Sequence, residues 1–172
     1  MWWCRRAALL GLAALAGCGF RPLYGRGHGG DAVVAALAAI DVAEIQAAPG
    51  DKRIAQILRG ELARSLDPGN LGLARRWRLE LALTRRVEPL AISTDDVITR
   101  YNVRLGSHLR LVDLADGSLA WETQVRSVGS YDVQESEFGT LVAEEATSAD
   151  AVRDMSARVV ALLSALMSRK SP

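Results

Sequence analysis

The chain is 172 residues long, with 49% hydrophobic, 24% charged and 5% aromatic residues, a balance that suits one globular domain and excludes a disordered chain. Its 21 basic and 20 acidic residues leave a formal charge of +1, so no overall basic excess points to nucleic acid. Both cysteines, Cys4 and Cys18, precede the body of the chain, which excludes a disulfide framework, and His28 and His108 are the sole histidines available for chemistry.

Arg5 and Arg6 precede a ten-residue uncharged apolar run, Ala7 to Ala16. A helix needs about 20 such residues to span hydrocarbon, so the run matches the apolar region of a secretory signal peptide. A buried first helix fits less well, because the run is apolar all round and Gly and Pro follow it at once. The paired arginines also permit a twin-arginine signal; either route exports the protein. The run ends in Leu15-Ala16-Gly17-Cys18, which resembles a bacterial lipoprotein signal. That resemblance implies cleavage before Cys18 and acylation of its thiol and freed amine. One acyl chain anchors a protein only marginally, whereas several hold it firmly. Cleavage removes residues 1–17 and leaves 155 residues carrying 19 basic and 20 acidic side chains. Gly19, where an Asp would favour inner-membrane retention, leans towards the outer membrane.

Residues 18–37 are expected to be the lipidated Cys and a flexible tether, because five of the twelve residues from Gly19 to Gly30 are glycine. His28, between glycines with no second ligand near it, reads as a solvated loop residue. A single domain is expected over 38–168, with a short tail at 169–172. Ala38 to Ile45 reads as a first strand. Pro49-Gly50 breaks the chain, Asp51 is a candidate N-cap, and Ile54, Ile57, Leu58, Leu62 and Leu66 form a helical apolar stripe ended by Pro68-Gly69-Asn70. Gly60 within that helix suggests close approach to a sheet. Trp77, Leu79, Leu81, Leu83 and Val87 alternate with polar residues as a half-buried strand that Pro89 should end. The polar connector Ser93-Thr94-Asp95-Asp96 follows. Thr99 to Leu111 alternates again, with Gly106 as a candidate bulge, and Asp116-Gly117 predicts a hairpin into Leu119 to Arg126. A last helix, or two in line with a weak point at Thr147-Ser148, carries Phe138, Leu141, Val152, Met155, Val159 and Leu163. The expected class is α+β: a four-stranded mixed sheet with two helices packed on one face, in the order β-α-β-β-β-α.

No catalytic motif stands out. There is no HExxH, no GxSxG and no phosphate-cradling glycine loop, and Gly106-Ser107-His108 lies inside a strand. The expectation is a non-enzyme with no catalytic residues, no metal and no cofactor. Charge placement says more. If Trp77, Leu79 and Leu81 face the helices, Arg76, Arg78, Arg86, Arg100, Arg104, His108, Arg110 and Arg126 share the opposite face, offset by Glu80 and Glu122 alone. Residues 131–154 carry seven acidic side chains against Arg153. Arginine offers phosphate a planar fork of donors, so the face could hold a phosphorylated glycolipid head group or an acidic protein wall. A merely solvated face is the other reading.

Cys18-Gly19-Phe20-Arg21-Pro22-Leu23-Tyr24-Gly25, Leu90-Ala91-Ile92-Ser93 with Thr99-Arg100-Tyr101-Asn102, the Asp116-Gly117 hairpin, Arg126 to Val133 and Ser136-Glu137-Phe138 occur in that order. Together they resemble the lipopolysaccharide-assembly lipoprotein family, LptE, in its alphaproteobacterial form. The resemblance implies a four-stranded sheet with two helices. It also implies an outer-membrane lipoprotein on the periplasmic side, plugged into the lumen of the LptD β-barrel, assisting its assembly and taking part in lipopolysaccharide transport to the cell surface. The expected partners are LptD, lipopolysaccharide and the outer membrane through acyl chains on Cys18, with no nucleic acid. Arg100, Arg104, Arg78 and Arg110 are the candidate lipopolysaccharide-binding residues, chosen on face and local basicity. An auxiliary lipoprotein of another envelope lipid-transport system is the alternative.

Overall fold

The computed structural model describes residues 28–92 and 98–170. Cys18, the glycine-rich start of the tether and the Ser93–Asp96 connector lie outside them. The elements are α1 (His28–Ala38), β1 (Ile40–Val42), a 3₁₀ turn (Pro49–Asp51), α2 (Lys52–Leu66), β2 (Trp77–Ile92), β3 (Ile98–Asp113), β4 (Leu119–Asp132) and α3 (Glu137–Lys170). The sheet order is β1-β2-β3-β4, with β1 parallel to β2 and the other pairs antiparallel.

The α+β architecture is as expected, with one helix added. Residues 28–37, read as tether, belong to α1, which buries Val33 and Leu37 in the core. Its alanines and glycines gave no readable apolar period, and packing of Val33 and Leu37 offsets what the two glycines cost a helix. The first strand is shorter than expected, three residues followed by an isolated bridge between Gln46 and Ala82.

β2 does not stop at Pro89 but continues to Ile92, with a register irregularity between Pro89 and Ala91. Odd-numbered β2 residues direct their amides towards β1, as Trp77 N donating to Ala39 O and Leu83 N to Gln46 O show. Pairing with β1 ends at Leu79 and the isolated bridge from Gln46 lies at Ala82, so the amide missing at Pro89 lies on an open edge. Gly106 is no bulge; it pairs regularly with Thr84 and Arg126.

α3 is one unbroken helix of 34 residues, about 51 Å at 1.5 Å per residue, and it runs the length of the long hairpin. Ser136 caps it, its Oγ accepting from Gly139 N at 3.0 Å. Asp51 stands at the N-terminus of α2 without a side-chain cap bond; its carboxylate accepts instead from Arg85 Nε at 3.2 Å. Gly60 makes no close approach to the sheet either, since a Cβ there would meet nothing within 4 Å. It lines a cleft between α2 and β1 with Arg59, Asp41 and Arg75.

The core lies between the helices and one sheet face. Leu79, Leu81, Leu83, Val103, Leu105, Leu109 and Leu111 meet Leu58, Leu62, Val152, Met155, Val159 and Leu163, all essentially inaccessible. The other sheet face carries no helix, which leaves its alternate side chains to solvent.

Candidate functional site: the uncovered face of the sheet

Alternation places Arg78, Arg86, Arg100, Arg104, His108, Arg110 and Arg126 on the uncovered face, as expected from the sequence. The structure corrects the balance of charge. Asp41, Glu88 and Asp132 join Glu80 and Glu122 there, so the face holds six arginines (Arg78, Arg86, Arg100, Arg104, Arg110, Arg126) and five carboxylates.

Each sequence-predicted binding arginine has a carboxylate. Arg100 donates to both oxygens of Asp132, at 2.6 and 3.1 Å. That hydrogen bond holds the Asp132 carboxyl below the usual carboxylate range and raises Arg100. Arg104 pairs with Glu88 at 3.3 Å, Arg110 with Glu80 at 3.3 Å and Arg78 with Asp41 at 3.8 Å. His108 Nε2 lies 2.6 Å from Glu122. Arg76 leaves the array, its guanidinium lying 5.0 Å from the ring centroid of Trp77.

Two cations remain. Among the described residues Arg86 and Arg126 have no ion-pair or hydrogen-bond partner. Arg86 stands directly across from Arg104, and Arg126 across from Gly106. The face is therefore lowest in the middle, at Gly106, with Arg86 and Arg104 to one side and Arg126 opposite. Thr84 flanks the glycine, its Oγ1 donating to Gly106 O at 3.2 Å. A ligand carrying negative charge and accepting several hydrogen bonds matches that floor: two arginines need surrender nothing to bind it. Arg86 and Arg126 are the residues the selection from sequence passed over. The signal that finds them is the absence of a cross-strand acid, which requires the register.

The opposite face carries a second charge cluster. Arg85 points inward, donating to Glu144 Oε1 through both terminal nitrogens at 2.9 Å and to Asp51 at 3.2 Å, while Tyr131 OH donates to Glu144 Oε2 at 3.0 Å. Desolvation and the Glu144 carboxylate push the Tyr131 hydroxyl up to about 12. This network ties α2, β2, β4 and α3 together and is half-enclosed, so it is a clamp and not an open site.

Among the described residues no group of three or more His, Cys, Asp or Glu side chains is placed to hold a metal, and no helix is long and apolar enough to cross a membrane.

No protein-family model matches the chain, and no curated protein does. Solved structures do. A protein described as a lipoprotein from Caulobacter crescentus superposes with a TM-score of 0.64 at 16% identity, over 78% of this chain and 95% of the other. The rare lipoprotein B of Shewanella oneidensis gives 0.55 at 10% identity over 77% and 100%. Lipoprotein B from Nitrosomonas europaea gives 0.54 at 16% over 76% and 88%. At these identities the likeness is one of architecture: the chain has the fold of these lipoproteins.

Proposed function

We propose that the chain is an envelope lipoprotein of the lipopolysaccharide-assembly type, similar to the alphaproteobacterial LptE family. It is anchored on the periplasmic side of the outer membrane through acyl chains on Cys18. Its domain sits in the lumen of the LptD β-barrel, assists assembly of that barrel and takes part in moving lipopolysaccharide to the surface without catalysing a reaction. The observation that carries this reading is the coincidence, in one chain, of a fold shared with several lipoproteins and a Leu15-Ala16-Gly17-Cys18 box.

The acyl chains set position and the rigid domain fills an otherwise open barrel. The uncovered sheet face meets the phosphates of the glycolipid. Arg86 and Arg126 bind first, because they exchange no partner; Arg78, Arg100, Arg104 and Arg110 follow by opening their carboxylate pairs. In doing so they displace divalent cations that would otherwise cross-link the ligand.

Affinity purification of the full chain from detergent-solubilised outer membrane tests the assignment. A large β-barrel in one-to-one ratio supports it, and inner-membrane transporter subunits would favour the alternative of an auxiliary lipoprotein in another lipid-transport system. For the face itself, Arg86→Glu with Arg126→Glu should weaken lipopolysaccharide binding at fixed salt at least tenfold with thermal stability preserved. Unchanged binding removes the arginine face from the mechanism.

A further inference from the structure

The two edges of the sheet are treated differently. The β1 edge is three residues long and guarded: Arg59 Nε donates to Val42 O at 3.0 Å, and Arg75 reaches the carbonyls of Ala38 and Ile40. The β4 edge runs for 14 residues with no proline, and no backbone group beyond β3 pairs with its interior among the described residues. Long unprotected edges are templates for a further strand.

The pairing pattern shows which groups are open. Val133 N donates to Thr99 O, so odd-numbered β4 residues turn their amides and carbonyls towards β3. The even-numbered residues Glu122, Gln124, Arg126 and Val128 therefore present both groups outward, with their side chains on the uncovered face, whereas Ala120 sits at the register irregularity and packs against the core.

We propose that this edge pairs antiparallel with the same edge of a second copy, about a two-fold axis at Gln124. An antiparallel self-pairing must match even residues with even residues. Centring on Arg126 would oppose two arginines, and centring on residue 127 would oppose Glu122 and Asp132. Centring on Gln124 sets Glu122 against Arg126 of the second copy twice over and Gln124 against itself, and it ends before the irregularity at Ala120. On the inner side Thr123 meets Val125. The register gives Arg126 the carboxylate it lacks within one chain. It adds roughly six backbone hydrogen bonds, two for each of the three matched pairs. The result is a continuous eight-stranded sheet whose uncovered faces join. This pairing occupies Arg126, which the role proposed above gives to the glycolipid, so the dimer is a state of the chain outside the barrel and without that ligand; its test needs neither.

The test is sedimentation equilibrium of the full chain in detergent together with a charge swap. The wild type is expected to dimerise with concentration. Arg126→Glu and Glu122→Arg should each weaken dimerisation at least tenfold, and the double variant should restore it, because the swap rebuilds both pairs. Gln124→Cys should oxidise to a disulfide-linked dimer faster than Gln134→Cys, which lies off the strand. A monomer at all concentrations, a dimer indifferent to the swap, or preferential cross-linking of residue 124 to another protein would each overturn the proposal.

Discussion

Gly129 on β4 faces Thr147 on α3 so closely that a Cβ on the glycine would stand 2.5 Å from Thr147 Cγ2 and 3.4 Å from its carbonyl oxygen. The long helix rests on the sheet at this point, beside the buried Ser148. Small residues that weaken a helix by propensity are what permit its contact. Gly129→Ala should destabilise the protein by about 1–3 kcal/mol, the usual cost of overpacking, and Thr147→Ser should recover much of it by removing the Cγ2. Urea unfolding of the four proteins in the cycle measures the coupling. Gly106→Ala, where the obstacle is the rotatable Thr84 hydroxyl 2.9 Å from the added Cβ, should cost less.

That contact also shows where sequence reasoning stops. The alternation of Trp77 to Leu83 and of Thr99 to Leu111 announces two half-buried strands, because a sheet covered on one face imposes a period of two. Asp116-Gly117 announces the turn from the second of them into β4, and Gly117 has the positive φ of 72° such a turn uses. The ion pairs of the open face were not legible. A single irregularity between Leu111 and Val112 shifts the β3–β4 register by one residue. Without it Arg100 would be paired with Tyr131, and Asp132 would turn to the helix-covered face. A local one-residue event far along the strand thus decides that Arg100 is neutralised. Residues 28–38 failed for the opposite reason: glycines and alanines carry almost no pattern, and only packing of Val33 and Leu37 reveals the helix. Cys18, legible as a motif, lies outside the described residues.

Ser127, 2% exposed, donates to Asp154 Oδ2 at 2.6 Å, and Arg158 donates to the same oxygen at 2.8 Å. The serine bond first, then the arginine, holds the Asp154 carboxyl below its ordinary range. A depressed carboxylate contributes stability above its unfolded pKa and loses it as the pH falls through the folded one. Ser127→Ala should therefore cost about 1 kcal/mol near neutrality. The gap to wild type should narrow as the pH is taken from 5 towards 3. A gap that stays constant on acidification would show that the carboxylate is not the partner that matters.

Arg85 sits between Asp51 and Glu144, with all three side chains a quarter exposed or less. Removing one member of such a cluster leaves charge without its counter-ion. A fully buried pair broken in this way costs about 3–5 kcal/mol, and the partial access of water here reduces that to about 2. Arg85→Met keeps the volume and removes the charge, so its loss on chemical denaturation reports the electrostatic part. Glu144→Gln in the same background should then be closer to neutral than in the wild type. Equal losses in both backgrounds would mean that the arginine acts by packing alone.

Tyr131 gives this clamp an alkaline limit. Its ring stacks on Tyr101 at 5.6 Å between centroids, its hydroxyl donates to Glu144, and burial beside that carboxylate raises the hydroxyl to about 12. The neutral form is the one the fold holds, whereas in the unfolded chain the hydroxyl ionises near its ordinary value of about 10. Below pH 10 both states keep the proton and the contribution is complete. Between about 10 and 12 the unfolded chain releases it first, so stability falls as the pH rises, by a total on the order of 2 kcal/mol. Tyr131→Phe should lose the hydrogen bond, costing about 1 kcal/mol at pH 8, yet show a shallower decline above pH 10. Chemical denaturation at intervals from pH 8 to 11.5 separates the two slopes; parallel curves would place the alkaline transition on another group.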